Sequence, residues 1–172
     1  SALNRANGIR SLISRLSTSI EARHWWDLAS WFTVAAGVAV RLFLFFDRRS
    51  LWWDETALAS GVTNFGMNGL MPEALGGQTG PLGFVFLSRL LVELFGPHEF
   101  VYRTVPLIGG VGLLFVARLV VREIINIPLV QIWTLSLFAF SPILAHYSQE
   151  FKQYSSDAFA SALVIFIGLW IW

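Results

Sequence analysis

The chain has 172 residues, of which 55% are hydrophobic and only 13% charged, where an average soluble domain has about 25% charged residues. Fifteen Phe and eight Trp add more large apolar surface than a soluble fold of this length can hide, so lipid is the expected solvent. A net charge of +1 points to no nucleic-acid partner, and the absence of Cys excludes disulfides, thiolate nucleophiles and Cys-ligated metals.

Residues 4–24 carry Arg5, Arg10, Arg15 and Arg23 among Ile9, Leu12, Ile13, Leu16 and Ile20, spaced by three and four. That spacing predicts a basic amphipathic helix lying on the cytoplasmic membrane face, with residues 1–26 forming a segment of their own. A frayed soluble tail is the alternative. No cleavable leader is expected, because the first long apolar run starts late and is long. That run, 28–46, is the first predicted span. Trp25-Trp26 and Trp52-Trp53 bracket it as interfacial belts, and Arg41 lies near enough to its far end to snorkel. The basic flank places the N-terminus in the cytoplasm.

Residues 47–103 form an outer loop with short surface helices. Residues 81–95 are apolar but number only 15, short of the roughly 20 that a span needs. They contain Arg89 and Glu93 as an i,i+4 pair, and Pro81 suits a first turn, so an interfacial helix is expected. Residues 56–65 are a second candidate. Further spans are expected at 104–121, 128–145 and 158–172, about four in all, giving an all-α polytopic membrane protein. Arg118, Arg122 and Glu123 then fall on a cytoplasmic turn, and 146–157 falls outside with the 47–103 loop.

Two polar clusters therefore share the outer side. Asp54-Glu55 follow Trp52-Trp53. One carboxylate can act as a general base while the other orients it or binds a cation; alternatively Asp54 merely caps a surface helix. The second cluster is His146-Tyr147-Ser148-Gln149-Glu150-Phe151-Lys152-Gln153-Tyr154, where Lys152 suits a lipid phosphate or simply a solvated turn. Arg103, at the head of a span, suits a phosphate or an ordinary headgroup. His24, His98 and His146 lack metal-ligand spacing, and Gly109-Gly110-x-Gly112 suits close helix packing.

Taken together these stretches resemble the membrane-embedded GT-C glycosyltransferases, nearest the protein O-mannosyltransferase and aminoarabinose-transferase-like group. Trp53-Asp54-Glu55 is similar to the acidic motif that opens the family's first outer loop. Gln78-Thr79-Gly80-Pro81-Leu82 is similar to the start of its Pro-led amphipathic helix, although the family usually has two prolines preceded by His where Gly80 and Gln78 stand. Tyr102-Arg103-Thr104-Val105-Pro106 resembles its Arg-Leu-Pro entry to the next span. Ser148-Gln149-Glu150-Phe151-Lys152-Gln153-Tyr154 resembles its Ser-Gln-Glu-x-Arg/Lys-x-Tyr stretch. The resemblance implies that 27–172 is the N-terminal part of such a module. It implies inverting transfer of a sugar from a polyprenyl-phosphate-linked donor to a hydroxyl at the non-cytoplasmic face of a cell membrane. Asp54 would be the base and Glu55 its orienter, Arg103 and Lys152 would hold the phosphate, and Gln149 and Glu150 would shape the pocket. No cofactor is required, although a divalent cation beside Asp54 and Glu55 is compatible. The expected partners are the lipid-linked donor and membrane lipid; nothing in the sequence sets an oligomeric state. The competing readings are a transporter or flippase subunit using Arg41, Glu150 and Lys152, and a noncatalytic assembly module.

Overall fold

The computed structural model describes residues 2–47, 50–64 and 80–172, with side chains from residue 24 onward. The apolar stripe expected over 4–24, and most of the loop between Thr63 and Gly80, lie outside those described side chains and residues. Seven helices are described: α1 (Ala2–Phe46), α2 (Trp53–Asn64), α3 (Leu82–Phe95), α4 (Glu99–Ile124), α5 (Pro128–Phe140), α6 (Pro142–Tyr147) and α7 (Tyr154–Ile171). Among the described residues there is no strand. Three stretches are long and apolar enough to cross a membrane: His24–Phe46 of α1, all of α4, and α7. The chain is thus an all-α protein built for a bilayer. The amphipathic segment and the first span, expected as separate units, share one unbroken helix.

The bundle has two ends. At one, Arg118 of α4 pairs with Asp27 of α1. At the other, the start of α4 meets α2, and the 148–153 turn leads into α7. α1 and α4 therefore run antiparallel, with α4 in the middle of the bundle. Glycines set its closest contacts, as Gly109-Gly110-x-Gly112 led one to expect. A Cβ at Gly110 would fall 2.1 Å from Ser148 Oγ, and one at Gly112 would fall 2.8 Å from the Phe159 ring. At Gly109 the obstacle is backbone: Ser156 N at 2.8 Å and Ser156 Cα at 2.9 Å. With little hydrophobic drive between helices in lipid, such close approach is what holds them together.

The span expected over 128–145 is two helices. Pro142 has no N–H to give Phe138 O, so the ladder stops, and α6 restarts with Ser141 Oγ accepting from Leu144 N–H. Arg41 resolves the carbonyls left over. It does not snorkel; it is fully buried, donating from Nη2 to Phe138 O and from Nη1 to Ala139 O, each at 3.0 Å, and also to Gly37 O. A cation suits that position twice over, because the orphan carbonyls carry the negative end of the α5 dipole. Gly37 makes it reachable: a Cβ there would lie 2.8 Å from Ala139 Cβ.

α3 is 14 residues, about 21 Å at 1.5 Å per residue, against a hydrocarbon core of roughly 30 Å. Its buried Phe84, Val85 and Val92 share one apolar cluster with Leu58, Ala59 and Val62 of α2, Tyr102 and Val105 in the first two turns of α4, and Phe151. Arg89 donates to Val62 O and Thr63 O as well as to Glu93, fixing α3 on the C-terminal turn of α2. α2 and α3 thus form a cap on one end of the bundle.

The glycine contacts carry a direct test. Gly109→Ala should lower stability in detergent by about 1–3 kcal/mol, since rigid backbone must move aside. Gly168→Ala, with nothing within 4 Å of the added Cβ, should be neutral or slightly stabilising. Thermal unfolding of the two variants side by side checks the difference.

Candidate functional site

The site is assembled from three segments far apart in sequence. The first is the start of α2. Thr56 N–H bonds Trp52 O at 2.8 Å, and Glu55 Oε2 accepts the Trp52 N–H at 2.9 Å. That is the reaching-back half of a capping box, so Glu55 ties down the helix entry. Asp54 sits in the same first turn, where negative charge suits the helix dipole.

The second segment is Arg103 in α4, nearly fully buried. Its Nη2 lies 3.2 Å from Glu55 Oε2 and donates to Ser50 O at 3.3 Å. The third is the turn after α6. Phe151 N–H donates to Glu55 Oε1 at 2.5 Å, and the Phe151 ring, wholly buried, packs 5.6 Å from Phe84 and 5.2 Å from Tyr102 between ring centroids. Lys152 N–H bonds Glu150 O at 2.7 Å, which tightens the turn. Lys152 Nζ then lies 2.8 Å from Asp54 Oδ2.

Two ion pairs consequently stand side by side, Glu55–Arg103 inside and Asp54–Lys152 farther out, with its lysine buried and its carboxylate at the surface. The inner carboxylate is 1% exposed and accepts from Trp52, Arg103 and Phe151; the outer one has two thirds of its side chain exposed. The three donors to Glu55 offset the desolvation of burying a carboxylate. Gln149 and Glu150 join Trp52, Glu55, Arg103 and His146 around a crevice of about 10 Å³. That is room for about one water, so a larger ligand would lie against the outer face, where Asp54 and the 90%-exposed Trp53 are displayed.

All six residues singled out in the sequence come together here: Asp54, Glu55, Arg103, Gln149, Glu150 and Lys152. Their partnerships differ from the expected ones. Glu55 does not reach toward Asp54; it holds Arg103 and two backbone amides. Arg103 is turned into the protein rather than toward a headgroup. His146, set aside for want of a metal-ligand partner, lines the crevice and lies 3.4 Å from Glu150. Its i,i+4 spacing from Glu150 was the available signal. Phe151 was quoted only as part of a polar stretch, and no sequence signal marks it as the buried anchor. Beside Asp54 and Glu55, where the sequence is compatible with a divalent cation, Asp54 Oδ2 faces Lys152, Glu55 Oε2 faces Arg103 and Glu55 Oε1 faces the Phe151 N–H. Among the described residues no group of three His, Cys, Asp or Glu side chains is placed to hold a metal.

No family model, curated protein or solved structure matches this chain.

The two ion pairs should differ sharply from a surface pair in their contribution to stability. Glu55→Ala takes the counter-charge from a buried guanidinium and the shared carboxylate from two backbone amides, and should cost on the order of 3–5 kcal/mol. Glu93→Ala, which removes the half-exposed partner of Arg89, should cost under about 1 kcal/mol. Denaturation of both variants in the same detergent measures this; equal losses would remove Glu55 from its organising role.

Proposed function

We propose that the chain is the N-terminal part of a GT-C-type membrane glycosyltransferase. It would move a sugar from a polyprenyl-phosphate-linked donor to an acceptor hydroxyl at the non-cytoplasmic face. The observation that carries the reading is the convergence of Asp54, Glu55, Arg103 and Lys152 at one end of the bundle, across 48 and 96 residues of chain. A transporter reading draws less support, because Arg41, the charge inside a predicted span on which that reading leans, caps α5.

In this reading α5 and α6 together make a fourth, broken crossing between α4 and α7. The Arg118–Arg122 end, with the basic N-terminal segment, then faces the cytoplasm by the positive-inside rule. α2 and α3 lie at the opposite interface. The exposed Leu82, Phe86, Leu90 and Leu94, at steps of four, supply α3 with an apolar stripe facing away from its buried one.

The chemistry follows from the outer ion pair. While Lys152 holds its carboxylate, Asp54 accepts a charge-assisted hydrogen bond rather than a substrate proton. The donor phosphate is a second anion competing for the Lys152 ammonium. Binding it there draws Lys152 toward the phosphate, and the exposed Asp54 carboxylate then meets the acceptor hydroxyl. Asp54 then takes the hydroxyl proton as the oxygen attacks the anomeric carbon. The bond to the phosphate breaks, and the polyprenyl phosphate leaves with the electron pair, its growing charge stabilised by Lys152. Attack from the face opposite the phosphate inverts the anomeric centre. Glu55 and Arg103 act as positioning residues: they hold the first turn of α2 and the 148–153 turn so that Asp54 and Lys152 face each other. Gln149 and Glu150 form the near wall.

The test uses the reconstituted protein with a polyprenyl-phosphate-linked sugar. Asp54→Asn should abolish transfer and leave donor binding largely intact. Lys152→Ala should weaken donor binding roughly tenfold or more, about the loss of one charged hydrogen-bonding partner. Turnover retained in Asp54→Asn, or donor affinity unchanged in Lys152→Ala, would overturn the assignment.

A further inference from the structure

A second cavity lies at the other end of the bundle. It measures about 210 Å³ and opens between α1, the C-terminal turns of α4 and the start of α5. From Arg103 to Arg122 the α4 axis advances about 28 Å at 1.5 Å per residue, so this cavity is remote from the crevice.

Its inner wall is built and closed. Arg118 is buried, pairs with Asp27, donates from Nε to Ser30 Oγ at 3.0 Å, and lies 4.1 Å from the Trp31 ring centroid. Asp27 is thereby neutralised from one side. Arg122, one turn farther along α4, approaches the same carboxylate only to 3.8 Å and leaves 62% of its side chain exposed at the mouth. Glu123 lines the same rim, and the amides of Asn126 and Gln131 add polar lining. The rim thus offers the exposed guanidinium of Arg122 and the exposed carboxylate of Glu123, and the half-exposed Asp27 carboxylate below them is shared by Arg118 and Arg122. Trp26 is part of the wall and Trp25 is exposed beside it. Indoles of that kind settle at headgroup depth, which fixes the level of the cavity in a bilayer.

We propose that this cavity seats the headgroup of a membrane phospholipid, with its phosphate on Arg122. A guanidinium presents parallel N–H groups that match phosphate oxygens two at a time, and Arg122, mostly exposed and held to Asp27 only by a long 3.8 Å contact, can turn such a pair outward. The balanced charge of the rim selects further: a headgroup with a primary amine satisfies Glu123 as well, whereas a purely anionic headgroup leaves a carboxylate beside its phosphate. The preferred class is therefore a phosphoethanolamine-type headgroup over a phosphoglycerol-type one. This site is independent of the transfer chemistry proposed above.

Native mass spectrometry of the purified chain in detergent tests it, with phosphatidylethanolamine and phosphatidylglycerol added in turn and inorganic phosphate as competitor. The wild type should retain phosphatidylethanolamine more strongly. Arg122→Ala should weaken both lipids by roughly tenfold. Because Arg122 is exposed, the variant should keep its helicity by circular dichroism. Glu123→Gln should erase the preference between the lipids while leaving phosphatidylglycerol bound. Retention unchanged in Arg122→Ala would overturn the site. Full displacement by inorganic phosphate would overturn the lipid as its ligand, and equal retention of the two lipids by the wild type would overturn the role of Glu123.

Discussion

The arrangement at the polar end depends on one buried carboxylate. Glu55 accepts from the Trp52 N–H, from Arg103 and from the Phe151 N–H, and so joins the start of α2, the first turns of α4 and the turn before α7. A carboxylate at 1% exposure is tolerated only where donors replace its water, and here three do. The same segments also share the apolar cluster around Phe151, which is non-directional, and the outer Asp54–Lys152 pair; the three directed bonds to Glu55 set the geometry in which that pair meets. The neighbouring Asp54 owes its exposure to the same bond. Successive residues on a helix diverge by about 100°, so committing Glu55 inward turns Asp54 outward, onto Lys152. Two adjacent acids thereby take different positions, one buried among three donors and one paired with Lys152 at the surface.

A parallel device operates deeper in the bundle. The Ser141-Pro142 break would leave carbonyls without donors in a medium that has none to give, and Arg41 closes that account from another helix. Both devices use a long cation or anion to satisfy backbone groups across elements, and both rely on small residues for access. Gly37 admits α5 to α1, and Gly109 and Gly110 admit the 148–156 stretch to α4. The polar side chains of this apolar chain are thus concentrated where helices start, stop or cross.

Much of this was legible in the sequence, and the illegible part has a common cause. Composition and long apolar runs announced an all-helical chain with spans at α1, α4 and α7. Length and the Arg89–Glu93 pair separated 81–95 from the spans, and the helix found there is too short to cross. The six polar residues singled out lie near one another at one end of the bundle. Pairing was not legible. Periodicity reports which face of a helix a residue occupies, but not which distant backbone amide it will meet, so Glu55 was expected to serve Asp54 and Arg41 to reach water. The break inside the run over 128–145 was not foreseen although Pro142 stood in plain view: hydropathy continues across the proline while the hydrogen-bond ladder does not. Phe151 was hidden because an aromatic inside a polar stretch looks like part of a turn until its neighbours Phe84 and Tyr102 are known.

The central claim is that the Asp54–Lys152 end and the Arg118–Arg122 end face opposite sides of a membrane. Because the chain has no Cys, single cysteines can be read without background. Trp53→Cys and Asn126→Cys, each at an exposed position, would be probed in intact cells with a membrane-impermeant maleimide. The account predicts labelling at residue 53 in intact cells and at residue 126 only after permeabilisation. Labelling of both positions from the same side would contradict it.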